Sequence, residues 1–412
     1  MLVELFDFQL KALDNLRERQ IKAQRRYRED EEKSIIPFTA PTGAGKTIIM
    51  SAFIEALYTG DSYQGAQNDA IVLWISDAPE LNEQSKAKLY KVADKLWNRT
   101  VVTIDEHSFK ADKLQLGTIY YVNTQKFGAN SNLVKYSDER NYTGWDFMRN
   151  TIEEYGDKLI VIIDEAHRGA QPNEMGAQMS IMQKFILGSD TDNMPSMPLV
   201  IGMSATLERF NELARTANST QLPKVEVTPD EVRESGLLKD EIKIHHPKDG
   251  EAFAEMTYLA EAAKDWKEKC QHWEAYRQHE DVDVSPALVV QVKNKKDDNV
   301  SETNLDECLR VIEANARVSL RNGEMVHTFE SREAITANGV EVRYIDPSRI
   351  SESKEVKVIF FKDNLTTGWD CPRAETMMSF KVAAGYTNIA QLLGRMVRTP
   401  LQKRIETDDL LN

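Results

Sequence analysis

Three cysteines in 412 residues, Cys270, Cys308 and Cys371, are odd in number, far apart and without CxxC spacing. They offer neither a disulfide framework nor a zinc site. Such usage fits a reducing compartment, so a cytoplasmic location is expected. No apolar run approaches the length of a membrane span; Ala70 to Ile75 is strand-sized. The opening Met1-Leu2-Val3-Glu4-Leu5-Phe6-Asp7 has no basic region followed by an apolar stretch, so it does not read as a secretory signal. The seven histidines form no ligand cluster, and His245-His246, just before Pro247, reads as a loop or strand end. Positive charge is scarce: 52 Lys and Arg against 66 Asp and Glu give a formal net charge of −14. That balance opposes indiscriminate binding to nucleic-acid phosphates but permits binding in a groove of locally positive charge.

What is present begins at Ala40-Pro41-Thr42-Gly43-Ala44-Gly45-Lys46-Thr47. Gly43 and Gly45 let the backbone curl so that successive N–H groups face phosphate oxygens. Lys46 is placed to reach the β- and γ-phosphates, and the Thr47 hydroxyl to hold Mg²⁺. Ile35 to Thr39 reads as a buried strand before the loop. Ile48 to Leu57 reads as a helix after it, whose N-terminal dipole favours the anion. A nucleoside triphosphate site is therefore expected, and the residues that line it are Thr42 to Thr47.

Length alone calls for two or three domains. Gln9 to Asp30 reads as a helix with Leu10, Leu13, Leu16 and Ile21 near one face. Strands are expected at 71–75, 101–104, 118–122, 158–163 and 199–203, with a helix over 80–93. Continuous apolar strands alternating with helices signal a parallel sheet covered on both faces. This first block is set at 1–215, a polar linker at 216–250 and a second block at 251–412. The second opens with a charged helix over 252–279 and carries strands at 287–292, 325–329, 356–361 and 376–380. Asp164-Glu165-Ala166-His167 follows a strand directly, at the sheet edge where ligands of open α/β folds bind. Asp164 is suited to hold Mg²⁺ through water, and Glu165 to polarise the attacking water.

Together these segments resemble the DEAD/DEAH group of superfamily 2 helicases and translocases. Residues 40–47, 164–167 and Ser204-Ala205-Thr206 look like its motifs I, II and III. Gln391-Leu392-Leu393-Gly394-Arg395-Met396-Val397-Arg398 is similar to its Q-x-x-G-R-x-x-R motif, and Gly368-Trp369-Asp370 with Pro372 to motif V. Phe8-Gln9 resembles the element that reads adenine. Within the superfamily, residues 231–238 and 368–372 look most like the restriction subunit of type III restriction–modification enzymes.

The resemblance implies two tandem RecA-like domains of α/β class with mostly parallel sheets, and ATP with Mg²⁺ in the cleft between them. Arg395 and Arg398, at i and i+3, are then expected on one helix face toward the γ-phosphate, with Gln391 beside them. Gly368 and Asp370 would line the nucleotide. His167, Ser204 and Thr206 would couple hydrolysis to nucleic-acid grip. Gln9 has the donor and acceptor that an adenine edge requires, while Phe8 either flanks the ring or lies in the core. Thr124-Gln125 either contacts phosphate or simply ends a strand, and so does Glu80 to Gln84, where the group's usual Pro-Thr-Arg is replaced by Asp77-Ala78-Pro79. Trp369 either stacks on a base or packs its motif against the sheet.

The implied activity is nucleic-acid-dependent ATP hydrolysis driving translocation or unwinding, with DNA favoured over RNA and other subunits of a larger complex as partners. The alternative is an ATP-switched nucleic-acid sensor or assembly subunit without processive unwinding. The fourteen residues Thr399 to Asn412 after Arg398 are fewer than a second domain of this kind requires, so a longer parent chain is expected. No D…E-x-K element after a strand marks a nuclease within these residues.

Overall fold

The computed structural model describes the chain except residues 78, 107–108, 137–140, 169–178, 247–253, 295–299, 364–368, 382–391 and 406–412. The chain forms two compact units, Met1–Val232 and Arg233–Asn412.

The first unit carries α1 (Asp7–Asp30), β1 (Ser34–Thr39), α2 (Lys46–Thr59), β2 (Ile71–Ser76), α3 (Pro79–Val92), β3 (Val101–Thr103), β4 (Ile119–Asn123) and α4 (Gly144–Tyr155). It continues with β5 (Leu159–Asp164), α5 (Ile181–Leu187), β6 (Leu199–Ser204), α6 (Glu208–Thr216), β7 (Thr220–Gln221), β8 (Val225–Glu226) and α7 (Pro229–Glu234), in which the unit boundary falls. The sheet order is β3-β4-β2-β5-β6-β1-β7, with β8 also beside β1, and every pairing is parallel. The strands are apolar without alternation because helices cover both faces. On one face Leu73, Ile75, Val122, Val161, Ile163 and Val200 pack with Phe147 and Met148 of α4, Phe185 of α5 and Phe210 of α6. In a parallel sheet all carboxyl ends share one edge, so β1, β2, β4, β5 and β6 deliver their next residues to the same side.

The stretch 216–250 is not a linker throughout: β7 and β8 within it extend the first sheet beside β1, and residues 237–239 pair within the second unit. Their brevity hid them, because two-residue strands carry no periodicity to read. The buried face of α1 is also only partly its leucine face: Leu16 is buried, and Leu13 and Ile21 are half-buried. Leu10 is exposed, whereas Phe8, Gln9, Ala12, Leu16, Arg17, Gln20, Ala23 and Gln24 are buried. Arg17 pairs with Asp61 at 2.6 Å and with Gln20, and Gln24 donates to the Asp157 carbonyl at 3.1 Å. A polar stripe is buried at little cost when its groups find partners.

The second unit carries α8 (Glu255–Arg277), β9 (Ala287–Gln291), α9 (Leu305–Ala316), β10 (Met325–His327), β11 (Ile335–Ala337), β12 (Val340–Tyr344), β13 (Val358–Phe361) and β14 (Ala374–Ser379). Its order is β11-β12-β10-β13-β9-β14. All neighbours are parallel except β11 and β12, a hairpin turned by Asn338-Gly339 with φ of 46° and 80°. Both residues sit in the left-handed region that a two-residue hairpin turn requires. Leu288, Val290, Val358 and Phe360 pack with Leu259, Ala263 and Trp266 of α8 and with Leu309 and Ile312 of α9. Both units are α/β sheets of the RecA-like kind, the second made mixed by its hairpin. Among the described residues no helix is long and apolar enough to cross a membrane.

Candidate nucleotide and coupling site

The phosphate loop leaves β1 at Ala40 and ends in α2. Gly43 and Gly45 have φ of 90° and 86°, a conformation that side chains disfavour. A Cβ added to Gly45 would lie 2.7 Å from Gln9 Nε2, so Gln9 would have to shift to admit one. Gly45 caps α2, and Lys46 and Thr47 form its first turn. Helix N–H groups there lack intrahelical partners and favour an anion. Lys46 Nζ donates to the Ala40 carbonyl at 3.1 Å, which holds the ammonium over the mouth of the loop.

Gln9 is buried against this loop. Its amide donates to the Ala44 carbonyl at 3.0 Å and accepts from the Phe6 backbone N–H at 3.1 Å. The residue expected to read adenine is therefore fastened to the phosphate loop. Phe8 lies in the core and stacks on Phe6 with ring centroids 5.7 Å apart.

Asp164 closes β5 on the same edge. Burial pushes its carboxyl up to about 7; the Glu165 charge adds to that rise and Lys46 opposes it. Glu165 has φ of 50°, and its N–H donates to Asp164 Oδ1 at 2.9 Å. This left-handed kink turns the chain sharply after the strand. His167 Nδ1 lies 2.7 Å from Ser204 Oγ and 3.3 Å from Glu165 Oε2. Burial lowers the His167 pKa, against the pull of Glu165, so the ring is neutral near pH 7. Ser204 closes β6, its hydroxyl accepts from Thr206 N–H at 3.2 Å, and its carbonyl accepts from Ala40 N–H at 3.3 Å. Thr39 Oγ1 donates to the Ala205 carbonyl at 3.2 Å. The Ser-Ala-Thr element thus touches the phosphate loop on one side and His167 on the other. It does so through Ser204; Thr206 contributes its backbone. One further link lies outside every motif: Arg168 donates to Asp77 at 2.6 Å, tying the end of β2 to the acidic turn.

Thr124 and Gln125 open a short turn at the carboxyl end of β4, Thr124 half-buried and Gln125 exposed. Glu80 to Gln84 form the first turns of α3, with Asn82 buried and Glu83 and Gln84 exposed. Both lie on the edge that carries the phosphate loop.

In the second unit Trp369 is 1% exposed within the cluster of Val289, Ile359 and Leu392. It packs its motif against the sheet and has no face for a base. Asp370 pairs with Arg398, and Cys371 N–H donates to the Arg395 carbonyl at 3.1 Å. Gly368 and Gln391, expected beside the nucleotide, lie outside the described residues. The two arginines do not share a helix face. Arg395 sits in a turn, and Arg398 is in extended backbone bridged antiparallel to Leu238. Backbone pairing with residues 237–239 takes the place of a helix there, Lys239 N–H donating to the Val397 carbonyl and Thr399 N–H to the Leu237 carbonyl. Among the described residues no group of three or more His, Cys, Asp or Glu is arranged to hold a metal; Thr47 and Asp164 supply the hydroxyl and carboxylate oxygens that suit a hard cation shared with a phosphate.

Three comparisons bear on this arrangement. No curated protein matches the sequence. Among solved structures, the chain is similar to the ATP-dependent type ISP restriction-modification enzyme LlaBIII bound to DNA. The identity is 13% and the TM-score 0.53, over 99% of this chain and 27% of that one. This chain therefore spans about a quarter of that enzyme, and at such identity the likeness concerns fold. Two structures of Dbp5 from S. cerevisiae bound to RNA and ADP BeF3, one of them a point variant, align at 13% and 12% identity. Their TM-scores are 0.44 and 0.45, and each alignment covers 96% of this chain and 85% of that one. A family model described as Type III restriction enzyme, res subunit, matches residues 2–209, which carry Gln9, the phosphate loop, the acidic turn and Ser204. With half of its length matched, the chain belongs to that family of helicase-like ATPases.

Proposed function

We propose that the chain is an ATP-dependent translocase or helicase acting on nucleic acid, DNA in preference to RNA, and the motor part of a restriction or phage-defence system. The carrying observation is the contact of Ser204 with both sides of the site. Its carbonyl meets Ala40 at the loop and its hydroxyl meets His167 beside Glu165. A nucleotide-dependent shift of either side is thereby felt by the strand between them. The preference for DNA follows from the family's description as restriction enzymes.

In this reading Lys46 and the N–H groups of residues 43–47 hold the phosphates. Thr47 and Asp164 hold Mg²⁺, which neutralises phosphate charge when bound. Glu165 orients the attacking water and draws off its proton. Arg395 and Arg398 of the second unit stabilise charge at the γ-phosphate, with Gln391, Gly368 and Asp370 assisting. Gln9 reads adenine. Thr124 and Gln125 contact the nucleic-acid backbone, which carries no sequence information. Further subunits supply any nuclease.

Steady-state ATPase assays with single-stranded DNA, duplex DNA and RNA test the reading. DNA is expected to stimulate turnover most. Glu165→Gln should retain ATP binding and lose ~10²-fold or more in kcat, the scale of general acid–base catalysis. Turnover indifferent to every nucleic acid would sink the motor assignment.

A further inference from the structure

Lys239 lies outside every motif invoked so far, yet its ammonium reaches the backbone that carries the two arginines. The chain runs antiparallel there: Lys239 N–H donates to the Val397 carbonyl at 2.7 Å, and Thr399 N–H to the Leu237 carbonyl at 2.9 Å. Leu238 bridges Arg398 between these bonds. The Lys239 ammonium donates to the carbonyls of Met396 at 2.6 Å, Pro372 at 3.0 Å and Ala374 at 3.5 Å. All three ammonium protons have acceptors. Two of those carbonyls flank the segment that follows Asp370, and the third sits between Arg395 and Arg398. One side chain therefore joins the two segments that the Asp370–Arg398 pair also joins.

We propose that Lys239 is a positioning residue for Arg395 and Arg398, clamping their backbone to the Asp370–Ala374 segment so that both guanidiniums are held in register for ATP hydrolysis. This rests on the arginine role given above.

The clamp depends on protonation. Burial lowers the Lys239 pKa to about 8; Glu375 and Cys371 oppose the fall, and Lys269 of α8 adds to it. Burial in turn raises Glu375, whose carboxylate accepts from Trp273 Nε1 at 3.1 Å. A neutral amine has two donors, so one of the three carbonyls loses its bond as pH rises through about 8. Stability moves the other way. An unfolded lysine keeps its proton to about 10.4, so between the two values the unfolded chain binds more protons and this group favours folding increasingly as pH rises. Loss of kcat without loss of stability is thus the signature of positioning rather than of scaffold.

The experiment is ATPase kcat and KM from pH 6 to 10, with the thermal midpoint at each pH, for the wild type, Lys239→Met and Lys239→Arg. Lys239→Met should lower kcat ~10- to 100-fold with KM for ATP within about twofold, as expected for a misplacement of about 1 Å. The wild type should lose kcat above pH ~8. Lys239→Arg, whose guanidinium stays charged, should keep most of the pH 7 kcat without that alkaline limb. Wild-type kcat in Lys239→Met, or an alkaline limb shared by Lys239→Arg, overturns the clamp alone. Failure of both variants to fold assigns Lys239 a structural role and also overturns it. A wild type without ATPase overturns the function and the clamp together.

Discussion

Gly45 is where backbone geometry and ligand chemistry meet most tightly. Its φ of 86° and the 2.7 Å approach of Gln9 Nε2 to a would-be Cβ mean that Gly45→Ala strains the loop and displaces Gln9 together. Left-handed backbone costs a side-chain residue roughly 1–2 kcal/mol. ATP affinity measured by titration calorimetry should fall at least ~10-fold, the equivalent of 1.4 kcal/mol. At this scale much of the site was legible. Asp164 and Ser204 end strands, Glu165 follows one directly and Lys46 opens the helix after another, so chain order alone brings them to one edge. Arg398 and Trp369 were legible as residues but not as geometry. Whether backbone after a turn is helical depends on partners distant in sequence, and Leu238 and Val289 are such partners.

Among the elements, α4 shows how a local signal goes unread. Thr143 caps it, with its hydroxyl accepting from Asp146 N–H at 3.2 Å. The Asp146 carboxylate accepts from the Thr143 N–H at 2.9 Å and from the Tyr136 hydroxyl at 2.7 Å. Burial alone would raise the Asp146 pKa, but these bonds and Arg149 outweigh it and bring the group down to about 2. A depressed carboxylate contributes stability that is complete above its unfolded pKa of about 3.9 and fades as pH falls toward the folded value. Asp146→Ala should therefore destabilise the protein by about 1–2 kcal/mol at pH 7. Denaturant titration should show the difference shrinking below pH 4; a difference constant down to pH 2 would disprove it. The Thr-x-x-Asp pattern at 143–146 and the Asn338-Gly339 pair were present in the sequence and marked α4 and the β11–β12 hairpin. Both lie in polar surroundings that read as connections. The long buried strands announced themselves, because burial on two faces leaves no polar position.

For the whole molecule, the net charge of −14 is a poor guide to partners, because an average over 412 residues does not report on one edge of one sheet. If nucleic acid binds along the carboxyl edge through phosphate contacts, its affinity must fall steeply with salt while that for ATP, held by a formed loop, changes less. Fluorescence anisotropy with labelled duplex DNA between 50 and 200 mM salt should show a log–log slope of about −0.9 per phosphate contacted. A flat dependence would refute backbone binding. Legibility also failed here at one place, the passage between units. A segment of two-residue strands is defined by what it pairs with, and pairing is long-range.

The attachment of Gln9 to Ala44 has a consequence for how a base would be told apart. The two amide groups that would face a purine edge already hold the Phe6 N–H and the Ala44 carbonyl. Each keeps a further valence, a second N–H on the amide nitrogen and a second lone pair on its oxygen, so a base edge would be met without surrendering either bond. A base held there would be read by an amide whose direction the phosphate loop has already set, so that the shape of the loop would bear on which purine fits.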